Sequence, residues 1–405
     1  MNKLKIVFGL LLVSPMGNAQ GLQSYIEEAQ ANNPKIQAYE LRYTIAKEKE
    51  NEANWLPNTE FGAGYFVSEP ETRTGAQVAR FSAKQMLPWF GTVATRQKYA
   101  SAMAETDYVD YIVAKRKLAL AVAQSYYELY SLWAKQGVLD ENIELLQTYE
   151  TLALTSVEVG KATAVDVLRL QIRQNELEQQ KEMLREQFKG EQVNFNNLLN
   201  RDTNLTVDLM VSLDIPDKDL VTMDSLEVNP ELLRFDKMYE SVSQAEFLNQ
   251  KEGAPMLGFG LDYVPVQERP DMTFTDNGKD IVMPMVSLSI PIFNKQYASK
   301  TKQNELRKEE ITFQKQERLN VLESAFAKAI AQRNEARIVY DTQSKNLKQA
   351  KDAEQILVKN YETGTIDFKD VLDIQELQLK FQINQIQSVQ LYYVQSAIIN
   401  YLINQ

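Results

Sequence analysis

The sequence predicts a mainly α-helical chain carrying membrane-type β-strands, built as a duplicated helix–β-hairpin–long helix–helix unit. Three observations predict it. "VEVGKATAVDVLRLQ" (Val157 to Gln171) and "YETGTIDFKDVLDIQ" (Tyr361 to Gln375) share the pattern G-x5-D-V-L-x2-Q at an offset of 204. Two stretches almost free of helix breakers precede the two glycines. Four segments of about ten residues alternate apolar with small or polar side chains, the length that crosses a bilayer when tilted.

The chain has 405 residues and opens on a targeting pattern. Lys3 and Lys5 precede an apolar run from Ile6 to Val13, and Gly17-Asn18-Ala19 offers a small-x-small cleavage site. Residues 1–19 are therefore expected to be a signal peptide and Gln20 the mature terminus. Without Lys3 and Lys5, 42 basic residues face 55 acidic ones, a net charge near −13 that disfavours nucleic acid as a partner. There is no cysteine and no histidine, which removes disulfides, the commonest general base and the commonest metal ligands. No nucleophile–base pair through His or Cys is possible and no phosphate loop appears, so neither an enzyme nor a cofactor is expected. The 12 methionines form no Met-x-x-Met cluster outside the strands, so no metal site is expected.

The repeat extends well beyond its glycines. Pro34 answers Pro230 and "FGAG" (Phe61 to Gly64) answers "LGFG" (Leu257 to Gly260), both at an offset of 196. "LPWF" (Leu87 to Phe90) answers "IPIF" (Ile290 to Phe293) at 203, and "NNLLN" (from Asn196) answers "NYLIN" (from Asn400) at 204. The first repeat is expected over 20–200, a linker over 201–228 and the second repeat over 229–405.

In the first repeat a short helix leads to strands at about 59–68 and 78–87, a long helix at about 92–159 and a return helix at about 163–200. In the second, the strands fall at about 256–266 and 281–290, the long helix at about 294–363 and the return helix at about 367–404. Thr92 to Val159 holds no proline and one glycine, Gly137, and the 72 residues between Pro291 and Gly364 hold neither. At 1.5 Å per residue each long helix is a rod of about 100 Å. Leu139, Ile143, Leu146, Tyr149, Ala153 and Val157 step by threes and fours, as do Leu379, Ile383, Ile386, Val389, Tyr393 and Ala397. That is a coiled-coil-like seam. A solid coiled coil and a hollow wall of helical staves both fit it.

The strands separate the two. Phe61, Ala63, Tyr65 and Val67 alternate with small or polar partners, as do Leu257, Phe259, Leu261 and Tyr263. A half-buried hairpin of a soluble domain alternates likewise, but an exported chain with helices long enough to cross a periplasm favours the membrane. Four strands cannot close a barrel, and an open edge cannot sit in lipid. Three copies would give 12 strands around an open lumen.

The duplicated plan and both G-x5-D-V-L turns resemble the TolC-like outer-membrane efflux proteins, over about residues 22–404. The "LPWFGT" exit from the first hairpin is most similar to their heavy-metal CzcC/CusC-type branch. The resemblance implies a homotrimer with a 12-stranded barrel in outer-membrane lipid of a Gram-negative bacterium and a 12-helix α-barrel through the periplasm. It implies the exit channel of a tripartite efflux pump, with a periplasmic membrane-fusion adaptor and an inner-membrane transporter of RND or ABC type as partners. A type I protein-secretion channel is the alternative within the family, and a periplasmic coiled-coil spacer or adhesin the alternative outside it. The sequence does not select a cargo.

The resemblance also assigns residues. Asp370 and Asp373 match the acidic ring of the closed pore, and Tyr361 and Asp166 a closed-state tether. Where the best-known member has an arginine in that tether, Ile366 stands here, with Lys161 and Lys369 as candidate replacements. Val159-Gly160-Lys161 and Thr363-Gly364-Thr365 match the tip where adaptor hairpins dock, and Trp89, Phe90 and Phe293 are placed for a membrane-interface belt.

Overall fold

The computed structural model describes residues 21–161, 163–216, 226 and 228–403. The expected signal peptide and part of the linker lie outside the described residues.

Two N-terminal helices, α1 (Leu22–Asn32) and α2 (Pro34–Glu52), lead into the first hairpin, β1 (Glu60–Tyr65) and β4 (Ala79–Leu87). Asn33 caps α2 by accepting from the Lys35 N–H, with Pro34 at the first helical position where its missing N–H costs nothing. Asn229 and Pro230 do the same for α5 (Pro230–Glu252), which leads into β5 (Met256–Val264) and β7 (Ile281–Ser289). The long helices α3 (Thr92–Glu158) and α6 (Gln296–Glu362) are both 67 residues, and both of their ends are 204 apart. The return helices α4 (Ala164–Leu198) and α7 (Phe368–Ile403) also start 204 apart. Gly137 lies inside α3 without breaking it.

The connections between the paired strands are partly ordered. β2 (Glu71–Thr72), β3 (Gly75–Gln77) and β6 (Val266–Gln267) form a second sheet in the order β2-β3-β6. Arg269 pins it by pairing with Glu71 and donating to the Thr72 carbonyl at 2.8 Å.

The main sheet is antiparallel in the order β1-β4-β5-β7, so each hairpin lends one strand to the central pair. Its register sorts the side chains. Phe61, Ala63 and Tyr65 oppose Ala83, Phe81 and Ala79, and Phe81, Ala83 and Leu87 oppose Tyr263, Leu261 and Leu257. Those in turn oppose Val282, Pro284 and Leu288. One face is thus apolar throughout except for Gln85, whose amide donates to the Pro57 carbonyl at 2.7 Å. The opposite face carries Arg80, Ser82, Lys84, Asp262, Ser287 and Ser289, with Arg80 paired to the fully buried Asp262.

The helices bury three clusters. One near the glycine turns joins both repeats: Leu139, Ile143, Leu146 and Ala153 of α3 with Val167 and Leu170 of α4 and Val371 and Leu379 of α7. The other two are repeat counterparts. Leu118, Val122, Phe195 and Leu199 pack in the first copy, and Leu322, Phe326, Ile399 and Ile403, each 204 further on, pack in the second. Of the second predicted seam, Leu379 and Val389 are buried while Ile383, Ile386, Tyr393 and Ala397 are half-buried. The buried line of α7 instead includes Gln375, Gln378, Ser388 and Gln395, because that face meets polar groups of α3 and α6. Among the described residues no helix is long and apolar enough to cross a membrane.

Candidate functional site

At one end of the rods the two glycine turns have the same geometry. Gly160 (φ 72°) and Gly364 (φ 75°) are left-handed, and an added Cβ would meet nothing within 4 Å at either. Glycine is therefore required by the backbone and not by space. Lys161 N–H donates to the Ser156 carbonyl (2.8 Å) and Gly160 N–H to Val157 (3.0 Å). Thr365 N–H donates to Asn360 (3.0 Å) and Gly364 N–H to Tyr361 (2.8 Å). Each is a Schellman C-cap that satisfies the last carbonyls of a long helix and turns the chain back. Val159, Gly160, Lys161, Thr363, Gly364 and Thr365 are all exposed on these turns. The structure thus gathers the predicted docking residues on two alike, solvent-facing loops.

Behind the turns, Tyr149 and Tyr361 hold Phe368 edge-on at ring distances of 5.6 and 4.8 Å. Ile366 packs against the same cluster, so the position that carries arginine in the resemblance is apolar wall here. Lys161 and Lys369 are exposed. Tyr361 and Asp166 are both buried, but they do not bond each other within the chain. The Asp166 carboxylate accepts from the N–H (3.2 Å) and the hydroxyl (3.0 Å) of its own Thr163, closing the first turn of α4. The Tyr361 hydroxyl has no hydrogen bond of normal geometry, although Ser156 is close by. Burial pushes this phenol upward, the Asp166 charge adds to the shift, and Ser156 opposes it. Within the chain Asp166 thus caps its own helix while lying near enough to Tyr361 for its charge to be felt there.

Asp370 and Asp373 stand one turn apart on the exposed side of α7, Asp370 in its first turn. Glu376, a further turn along, is exposed as well.

At the other end, Trp89, Phe90 and Phe293 sit where β4 hands over to α3 and β7 to α6. Phe90 is 75% and Phe293 98% exposed, so they pack no core within the chain. Trp89 lies edge-on to Phe90 at 5.7 Å. Above them the apolar face of the sheet is open: Phe61 is 81%, Tyr65 69% and Val286 74% exposed. Among the described residues the edge strands β1 and β7 each lack a second partner. Such a sheet is unstable in water, and its free edges are unstable in lipid.

Sequence reasoning missed a third feature. Asn142 of α3 lies in a buried seam, where it accepts from Gln375 Nε2 (2.7 Å) and donates to Gln382 Oε1 (3.1 Å), both of α7. Beside it the Tyr149 hydroxyl donates to Glu354 at 2.6 Å. The repeat offset could have drawn attention to Gln375, but nothing local marks Asn142 as buried.

Residues 25–201 match the family model described as "Outer membrane efflux protein". Over those residues the chain is similar to that family. No curated protein matches its sequence. Solved structures of similar shape include CusC, with a TM-score of 0.76 at 14% identity, covering 94% of this chain and 91% of that one. VceC of Vibrio cholerae gives 0.72 at 15% identity, covering 94% and 95%. CmeC of Campylobacter jejuni gives 0.73 at 14% identity, covering 94% and 85%. At these identities the likeness shows the fold, and it extends over both repeats of the chain, beyond the residues matched by the family model.

Proposed function

We propose that this protein is the outer-membrane exit channel of a tripartite pump, a passive duct that three copies of the chain build together. One observation carries the reading. A four-stranded sheet with one apolar exposed face and two free edges is joined to rods of 67 residues. A lone copy leaves backbone groups on β1 and β7 unsatisfied in hydrocarbon, whereas three copies close a barrel of about 12 strands with no edge. The helices continue the wall into the periplasm of a Gram-negative cell.

In this duct the tip turns at Gly160 and Gly364 dock a periplasmic adaptor, which links the channel to an inner-membrane transporter. Asp370 and Asp373 narrow the closed pore and hold cations there by charge. Trp89, Phe90 and Phe293 anchor the barrel at the membrane interface. The protein performs no chemistry, and selection among cargoes falls to the transporter.

The test is extraction from isolated outer membranes, mass measurement in detergent and reconstitution into a planar bilayer. A three-chain particle that conducts ions is expected. A detergent-free monomer that conducts nothing would end the proposal.

A further inference from the structure

The internal duplication also specifies how neighbouring copies fit together. Within one chain α7 packs on α3, so the two hairpins lie in the order α4-α3-α7-α6 and leave α4 and α6 as the free flanks. Because α6 repeats α3 and α7 repeats α4, the junction of α6 with the next copy's α4 is the repeat counterpart of the α3–α7 junction. The offset of 204 holds at both ends of the long helices and at the start of the return helices, so residues can be transferred one by one.

Asn142, which joins Gln375 and Gln382 in the covered junction, corresponds to Asn346 on α6. Gln375 and Gln382 correspond to Gln171 and Glu178 on α4. We infer that Asn346 of one copy bonds Gln171 and Glu178 of the next, fixing the axial register between copies. The inference rests on the proposed assembly and adds its register. The chemistry suits the exchange: the Asn346 amide donates to the Glu178 carboxylate as Asn142 donates to Gln382, and its oxygen accepts from Gln171.

The single chain shows both states of this contact. In the covered junction Gln375 is 1% exposed and reaches across to α3, leaving Glu354 to Tyr149. On the free flank Gln171 is exposed and folds back to Glu150, the counterpart of Glu354, at 2.7 Å. Apolar neighbours follow the same division. Leu372 and Leu152 pack against the joint core, while their counterparts Leu168 and Ile356 are 57% and 61% exposed. Positions covered inside the chain are bare where the next copy would sit.

The chain contains no cysteine, so introduced pairs report contacts without background. The doubly substituted Asn142→Cys/Gln375→Cys protein sets the scale: the shortest bifunctional thiol linker that joins this pair within one chain is chosen. The same linker is applied to full-length Asn346→Cys/Gln171→Cys protein in outer membranes. A shift from one-chain to three-chain mobility on a denaturing gel is expected, with the single variants unshifted. Asn346→Cys/Asn175→Cys, one turn out of register, should link at least tenfold less. If the particle has three chains by mass and the Gln171 pair does not link, or the Asn175 pair links as well, this register is wrong and the channel stands. If the mass is that of one chain, the channel reading itself fails.

Discussion

Gly160 and Gly364 are the residues whose role is most local. Each is held near φ 70–75° by two backbone hydrogen bonds, with open space around the α-carbon. Replacing either by alanine is expected to cost about 1 kcal/mol, the penalty of a side chain in the left-handed region, read as a lower unfolding midpoint. Asparagine, which tolerates that region, should recover part of the loss, and its failure to do so would point to contacts and not to φ. Asp370→Ala with Asp373→Ala should raise single-channel conductance and weaken block by multivalent cations, because the exposed carboxylate pair is gone. Unchanged conductance and block would remove both residues from the constriction. The glycines were legible in the sequence because a helix end needs no distant partner. The partner of Asp166 was not: both Asp166 and Tyr361 lie at the tip, and within the chain the carboxylate accepts from a capping threonine three residues away.

Helices and strands were legible wherever periodicity or the absence of breakers defines them. The strap between the repeats was not. Its backbone N–H groups at Asp208, Met210 and Leu213 donate to the hydroxyls of Tyr25, Tyr126 and Tyr130 at 2.9, 3.1 and 3.0 Å. The Tyr393 hydroxyl donates to the Asp214 carbonyl at 2.8 Å and its ring stacks on Tyr127 at 5.1 Å. Burial pushes the Tyr126 and Tyr130 phenols up, and burial together with Tyr393 raises Tyr127 to about 12. A phenol raised in the folded state favours folding fully below its unfolded pKa near 10, and that contribution is lost as pH climbs through the folded value. The unfolding midpoint should therefore hold steady from pH 8 to about 10 and fall between about 10 and 12. Tyr127→Phe should shallow that fall, and an identical profile in the variant would exclude this phenol as a source.

At the scale of the molecule, the sheet's two faces make opposite predictions for neighbouring residues. Val286 belongs to the apolar exposed face and Ser287 to the other. In lipid vesicles Val286→Arg should cost about 2–4 kcal/mol of unfolding free energy if it lies near the midplane, whereas Ser287→Arg should cost far less. Equal costs at the two positions would refute the assignment of faces. The same register leaves the sheet open among the described residues: β4 pairs β5 across the repeat boundary, and β1 and β7 pair with no further strand. An incomplete sheet and two bare helix flanks are thus one property, seen in two layers.

The sequence by itself determined the duplication, the rods, the four strands and the reversing glycines, because each is written in local spacing and in an offset a reader can count. Tertiary structure alone decided which polar groups turn inward. Asn142, Gln375 and Asp262 look like ordinary solvated residues until another element removes their water, and burial depends on neighbours that no local pattern names.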